Sequence, residues 1–192
     1  MEENKKIRGL LLLADGVEET EAVSTHDILT RAGITCDMVS TKDCHRIHTS
    51  MGLTLRVETN LKELGEGYKD YDFIVLPGGK AGVTNLEKNR KVQKIIEYFH
   101  QENKLVCAIC AAPSVLGNKG YLDGRNYTCF PGFERGHGNK DSEHGAVEDK
   151  NTITGRSMYW TIMFAETIVK HYLGQEGLDK IYHGTRGADL PR

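Results

Sequence analysis

"IRGLLLLADGVEETEAVSTHDILTRAG", Ile7 to Gly33, is the stretch whose reading decides the architecture. Residues 7–14 are apolar apart from Arg8 and Gly9, and they predict a buried strand. Asp15 and Gly16 turn the chain. Residues 18–32 then predict a helix, with Ala22, His26 and Leu29 along one stripe and Gly33 as its stop. A strand that is continuously apolar, instead of alternating, is one buried on both faces, as in a parallel sheet.

The same alternation of elements continues outward. Residues 34–40, 71–76 and 104–109 predict further buried strands. Residues 47–59 alternate like a hairpin. Val92, Ile95, Ile96 and Phe99 have the i, i+3, i+4, i+7 spacing of an amphipathic helix. A short helix is expected over residues 111–117 and a strand over 127–130. A hairpin is expected to turn at residues 149–151. Met158, Ile162, Ala165, Val169 and Tyr172 mark one face of a long helix, and residues 177–192 predict a last helix and a tail. Strands alternating with helices imply an α/β fold with a central, mostly parallel sheet and helices on both sides.

Bulk properties fit one ordinary globular unit. The chain has 192 residues, 39% hydrophobic and 27% charged, with a formal net charge of −2. We expect a single domain over residues 1–192, with a core from about 7 to 173 and a C-terminal helix and tail from 174 to 192. Acidic and basic residues are interspersed, so no nucleic-acid partner is indicated. No apolar run reaches the length of a membrane span, and residues 10–13 are too short for a signal-peptide core. Five cysteines at irregular spacing do not form a disulfide framework. A reducing cytoplasm with free thiols is the expected setting.

In such a sheet, ligands bind beyond the carboxyl ends of the strands. Three junctions meet there: "LLADGVEETE", "VLPGGKAG" and "VCAICAAPS". Cys110 stands where a strand becomes a helix, a position that lowers a thiol pKa and makes a nucleophile. The surrounding alanines permit a sharp turn, and Pro113 suits a first helical turn, as in a nucleophile elbow. A buried structural cysteine is the competing reading of the same segment. Cys107, three residues earlier in the strand, falls on the opposite face and reads as core, not as a redox or zinc partner. Asp15 and Glu18 form a capping-box pattern, yet a carboxyl among Glu18, Glu19 and Glu21 could also move a proton for Cys110. Gly78 and Gly79 form a turn whose bare N–H groups could serve as an oxyanion hole.

Taken together, "LLLADGVEETEAV", "YDFIVLPGG" and "VCAICAAPSVL" resemble the ThiJ/PfpI superfamily, in the branch of the parkinsonism-associated deglycase and bacterial YajL. The likeness runs from about residue 7 to 173. It implies a flavodoxin-like three-layer sandwich and a homodimer. It implies that Cys110 is the reactive, easily oxidised cysteine and that Glu18 is the carboxylate bonded to it. Gly78, Gly79 and Ala111 would supply pocket amides, and Arg31 would reach the neighbouring subunit's site. The implied activities need no cofactor or metal. They are glyoxalase, deglycation of reactive-carbonyl adducts in stress response, and redox-dependent chaperone or sensor behaviour through oxidation of Cys110.

The departures from that pattern are specific. The histidine often found near the cysteine is replaced by Phe130, as in YajL-like members, so a Cys–His dyad is not expected. Ala111 stands where the peptidase branch has histidine, which argues against peptidase activity. Met51 replaces a pocket arginine, and "GRSMY" keeps Arg156 but loses the Gly and Pro of the usual turn. A glutamine amidotransferase would need a downstream His-x-Glu pair, which is missing from the sequence.

Overall fold

The computed structural model describes residues 6–186. The strands are β1 (Arg8–Leu13), β2 (Thr35–Ser40), β3 (Arg46–His48), β4 (Thr54–Arg56), β5 (Thr59–Asn60), β6 (Phe73–Leu76), β7 (Leu105–Ile109), β8 (Asn126–Tyr127), β9 (Asn139–Lys140), β10 (Ala146–Asp149) and β11 (Thr152–Gly155). The helices are α1 (Glu19–Ala32), α2 (Leu61–Leu64), α3 (Lys80–Lys88), α4 (Arg90–Gln101), α5 (Pro113–Gly117) and α6 (Thr161–Thr185). Seven strands form one sheet in the order β10-β11-β7-β6-β1-β2-β5, and every pairing except β10–β11 is parallel. This is the α/β architecture that the apolar strand runs imply, in the flavodoxin-like three-layer form that the resemblance implies.

Strand alternation divides the core in two. Leu10 and Leu12 of β1, Ile74 and Leu76 of β6, and Val106 and Ala108 of β7 face the layer of α3, α4 and α5. Leu11 and Leu13, Phe73 and Val75, and Leu105, Cys107 and Ile109 face α1 and α6. Cys107 is fully buried there, as expected of a packing residue. All four apolar residues of the α4 stripe are buried. α3 escapes a pattern reading because Val83 and Leu86 are its large buried side chains.

Two helical faces differ from expectation. In α1 the buried set is Glu21, Ala22, Thr25, Ile28, Leu29 and Ala32. His26 lies beside that stripe and its Nδ1 pairs with the Cys36 carbonyl. In α6 the buried set includes Thr161, Phe164, Ala165, Ile168 and Val169, while Met158, just before the helix, and Ile162 are exposed. The apolar residues there occupy two faces, and the sheet takes the one bearing Phe164. α6 breaks at Gly174 (φ 62°, ψ −155°), after which Leu178 and Ile181 pack back into the α1 layer. The tail beyond residue 186 lies outside the described residues.

Gly9 marks a tight point, because a Cβ there would lie against the Phe73 ring. Its φ is not in the left-handed region, so the cost of a side chain is steric. Gly9→Ala is expected to destabilise the fold by about 2 kcal/mol, measured by denaturant unfolding. A change below a few tenths would show that Phe73 can swing aside.

Candidate active site

Three chain crossings meet at the carboxyl end of the sheet. β7 ends at Ile109, and Cys110 then takes φ +64°, the left-handed region that non-glycine residues rarely occupy. The surrounding hydrogen bonds hold it there. Its N–H donates to the Gly155 carbonyl at 2.9 Å, and its own carbonyl accepts from Phe130 N–H at 2.8 Å. This is the sharp turn expected of an elbow, and backbone strain of this kind concentrates at functional sites. The side chain is half-buried, with the amide N–H groups of Ala111 and Gly79 directed at its sulfur.

The carboxylate beside Cys110 is Glu21. The sequence reading gives that role to Glu18, and the structure corrects it by one helical turn. Glu18 has extended backbone (φ −76°, ψ 117°) and is the N-cap of α1. Its Oε2 accepts from Glu21 N–H at 2.8 Å, so Glu18, not Asp15, caps the helix, and Glu21 is left free to turn inward instead of closing a capping box. Glu21, three residues on, points from the first turn into the sheet and is fully buried. Its Oε2 accepts from Gly78 N–H at 2.6 Å, and the carboxyl lies beside the Cys110 side chain, close enough to push that thiol's pKa up. Its Oε1 has no hydrogen-bond partner among the described residues. Three acids within four residues left the register open in the sequence. The signal that would have fixed it is the helix start, because an N-cap side chain folds back along the backbone while the residue three later faces inward.

The glycines divide their work. Gly78 N–H is used by Glu21 and its carbonyl accepts from Glu18 N–H, so Gly78 positions the acid and is not free for an oxyanion. A Cβ at Gly78 would lie 2.6 Å from Glu21 Oε2 and 2.7 Å from Cys110 Cβ, so only glycine allows this approach. Gly79 N–H is the group that faces sulfur.

Electrostatics bind the two side chains into one unit. Burial raises the Glu21 carboxyl to about 7; the charge of Glu18 adds to this, while bonds to Gly78 and Cys110 oppose it. Burial pushes the Cys110 thiol up to about 12, and the Glu21 charge and its hydrogen bond push the same way. The Ala111 and Gly79 amides pull it down. The thiol lowered by a helix terminus is therefore not found. α5 has five residues and its dipole is small, while burial dominates and the neighbouring acid adds to it. Protonating Glu21 removes two of the upward causes, so the pair titrates as one system that shares protons.

Around this pair lies a cleft of about 690 Å³, lined by Gly16, Glu18, Glu21, Gly79 and Cys110 at its floor and by Lys80, Met51, Phe130, Met158 and Tyr159 toward its rim. Arg156 and Arg31 are not among the lining residues. Arg156 is fixed by its own N–H to the Gly145 carbonyl, and Ser157 to Tyr159 reach the cleft instead. Arg31 ends α1 with its guanidinium 2.8 Å from Asp27, beside a separate groove that includes Ile162 and Met163. No group of three or more His, Cys, Asp or Glu that could hold a metal occurs among the described residues. No helix among them is long and apolar enough to cross a membrane.

Comparison with known proteins agrees with this fold. The profile of the DJ-1/PfpI family matches residues 7–171. The Parkinson disease protein 7 homolog of Danio rerio is 31% identical over 173 residues, covering 88% of this chain and 91% of that protein. The crystal structure of Drosophila melanogaster DJ-1beta superposes with a TM-score of 0.87 at 27% identity, covering 95% of this chain and 99% of that one. Toxoplasma gondii DJ-1, solved in an oxidized form, gives a TM-score of 0.84 at 26% identity, with 95% and 99% covered.

Because Glu21 binds its proton more tightly folded than unfolded, its contribution to stability is full below about pH 4.5 and is lost as pH rises through about 7. Glu21→Gln keeps an acceptor for Gly78 and cannot ionise. Relative to this variant, the native chain should lose up to roughly 3 kcal/mol between pH 4.5 and 8, read from unfolding curves. Parallel pH profiles for the two proteins would show that Glu21 titrates normally.

Proposed function

Since this chain belongs to the DJ-1/PfpI family, we propose that it is a cysteine-dependent stress-response enzyme acting on reactive aldehydes or their adducts, of the glyoxalase or deglycase type. The observation that carries this reading is the buried Glu21 carboxyl beside Cys110 at the floor of an open cleft. Glu21 would take the thiol proton as sulfur adds to the aldehyde carbon, and return it to the new oxygen of the hemithioacetal. As carboxylate it would then move the carbon-bound proton to the adjacent carbon while the hemithioacetal hydroxyl proton passes to the ketone oxygen, leaving a 2-hydroxy thioester that water hydrolyses to the acid and the free thiol. Ala111 and Gly79 N–H would hold the developing negative charge. No cofactor enters these steps. Purified protein should release D-lactate from methylglyoxal, with Cys110→Ser at least about a thousandfold slower and Glu21→Gln about a hundredfold slower. Equal rates for the native chain and Cys110→Ser would end the proposal.

A second reading, a redox sensor or redox-dependent chaperone, is favoured by the two amide N–H groups at the Cys110 sulfur, which could equally hold sulfinate oxygens. Two equivalents of peroxide would add two oxygens at Cys110 and release two waters. Intact mass after mild peroxide separates the readings: selective double oxidation without aldehyde turnover favours the sensor.

We also infer a homodimer through α1 and the start of α6. Val23, Asp27 and Arg31 share one stripe of α1. Val23, Tyr159, Ile162 and Met163 are exposed apolar side chains on this side, and the groove between the helices opens beside Arg31. A second copy would cover them and bring its Arg31 toward the cleft. Light scattering should give twice the chain mass, falling to the monomer value in Val23→Arg. A native chain that is monomeric at micromolar concentration would contradict this.

A further inference from the structure

The cleft above Cys110 is far larger than a three-carbon dicarbonyl needs, and its wall is chemically one-sided. Met51 is 78% exposed, Met158 48% and Phe130 42%, and all three line it. Single exposed apolar residues mean little, but several converging on one concavity mark a binding surface. The charged groups lining it are Glu18, Glu21 and Lys80. Two acids near the sulfur and one lysine at the rim do not suit an anionic substrate.

The backbone that carries these side chains is anchored. Glu19 Oε2 accepts from Met51 N–H at 3.2 Å and from the Ser50 hydroxyl at 3.1 Å, tying the β3–β4 hairpin to the start of α1. Gly16 N–H to the His48 carbonyl (2.7 Å) and Ser50 N–H to the Val17 carbonyl (2.8 Å) complete the strap. Phe130 is fixed by its N–H on the Cys110 carbonyl. Met158 sits on the turn that its carbonyl closes with the Thr161 hydroxyl at 2.7 Å. Each backbone is held, while the thioethers keep the adaptability of unbranched side chains.

We propose that this cleft selects carbonyl compounds bearing an apolar substituent, with Met51, Phe130 and Met158 as the specificity-determining side chains. The catalytic form of this inference rests on the reading that Cys110 turns over aldehydes. The carbonyl carbon lies at sulfur and the substituent against the thioethers and the ring. For an aryl oxoaldehyde the net change adds one water and yields the 2-hydroxy acid. The aldehyde carbon is oxidised as its neighbour is reduced, so no external redox partner is required.

Two measurements test it. In turnover, phenylglyoxal going to mandelate should show kcat/KM at least about tenfold above methylglyoxal going to lactate. Met51→Arg, at an exposed position, should cut that ratio about tenfold. In binding, Cys110→Ser protein titrated by NMR should hold acetophenone at least about tenfold more tightly than acetone, with pyruvate weakest. Cys110-dependent turnover with no preference in either assay overturns the inference and leaves the function standing. Selective binding that Met51→Arg removes, without turnover, supports the apolar selection and overturns the enzymatic reading. Neither turnover nor selective binding overturns both.

Discussion

The hydrogen bond from Gly78 N–H to Glu21 Oε2, 2.6 Å long and fully buried, is the constraint on which the site depends. It spans 57 residues and fastens the first turn of α1 to the turn after β6. A buried carboxyl is costly unless it is partnered, and this one is held by a backbone amide on Oε2 with the Cys110 side chain alongside. Everything nearby is arranged to permit that approach. Gly78 has no side chain to intervene, Glu18 holds the helix start, and Cys110 is bent into a strained conformation that turns its sulfur toward the acid. Desolvation then does the chemical work of tuning, since it keeps a proton on the pair near neutral pH.

The layer structure explains why the site lies at this edge. Parallel strands deliver their carboxyl ends to one side, so the loops after β1, β6 and β7 converge although they are distant in sequence. Cys110 packs against both halves of the core and also faces the cleft, so it stands at the seam between the two halves.

Much of this was legible in the sequence, for physical reasons that differ by residue. Continuous apolar runs such as Leu10–Leu13 announce two-sided burial, and the α4 stripe announces a one-sided helix. Cys110 was legible because a strand, a thiol and Ala-Ala-Pro occur in series. The acid was not, because Glu18, Glu19 and Glu21 are chemically alike and differ only in their place relative to the helix cap. Arg156 differs from expectation for another reason: it occupies the right position along the chain, but Ser157, Met158 and Tyr159 line the cleft in its place, and side-chain direction is not encoded in a motif. The face of α6 was misread because Met158 and Ile162 are as apolar as Phe164, and hydrophobicity alone does not say which side meets the sheet.

The break in α6 at Gly174 has a bearing on how the chain acquires its site during synthesis. The segment after the break returns Leu178 and Ile181 to the α1 layer, and Lys180 reaches the Ala32 carbonyl across 148 residues at 3.4 Å. α1 carries Glu21, yet its outer packing comes from residues that leave the ribosome long after it does. A nascent chain that already holds Cys110 and Glu21 still has α1 without this cover. The C-terminal end of α1, where Lys180 reaches Ala32, therefore acquires its final surroundings after the strands and loops that carry Cys110 and Glu21 have been made.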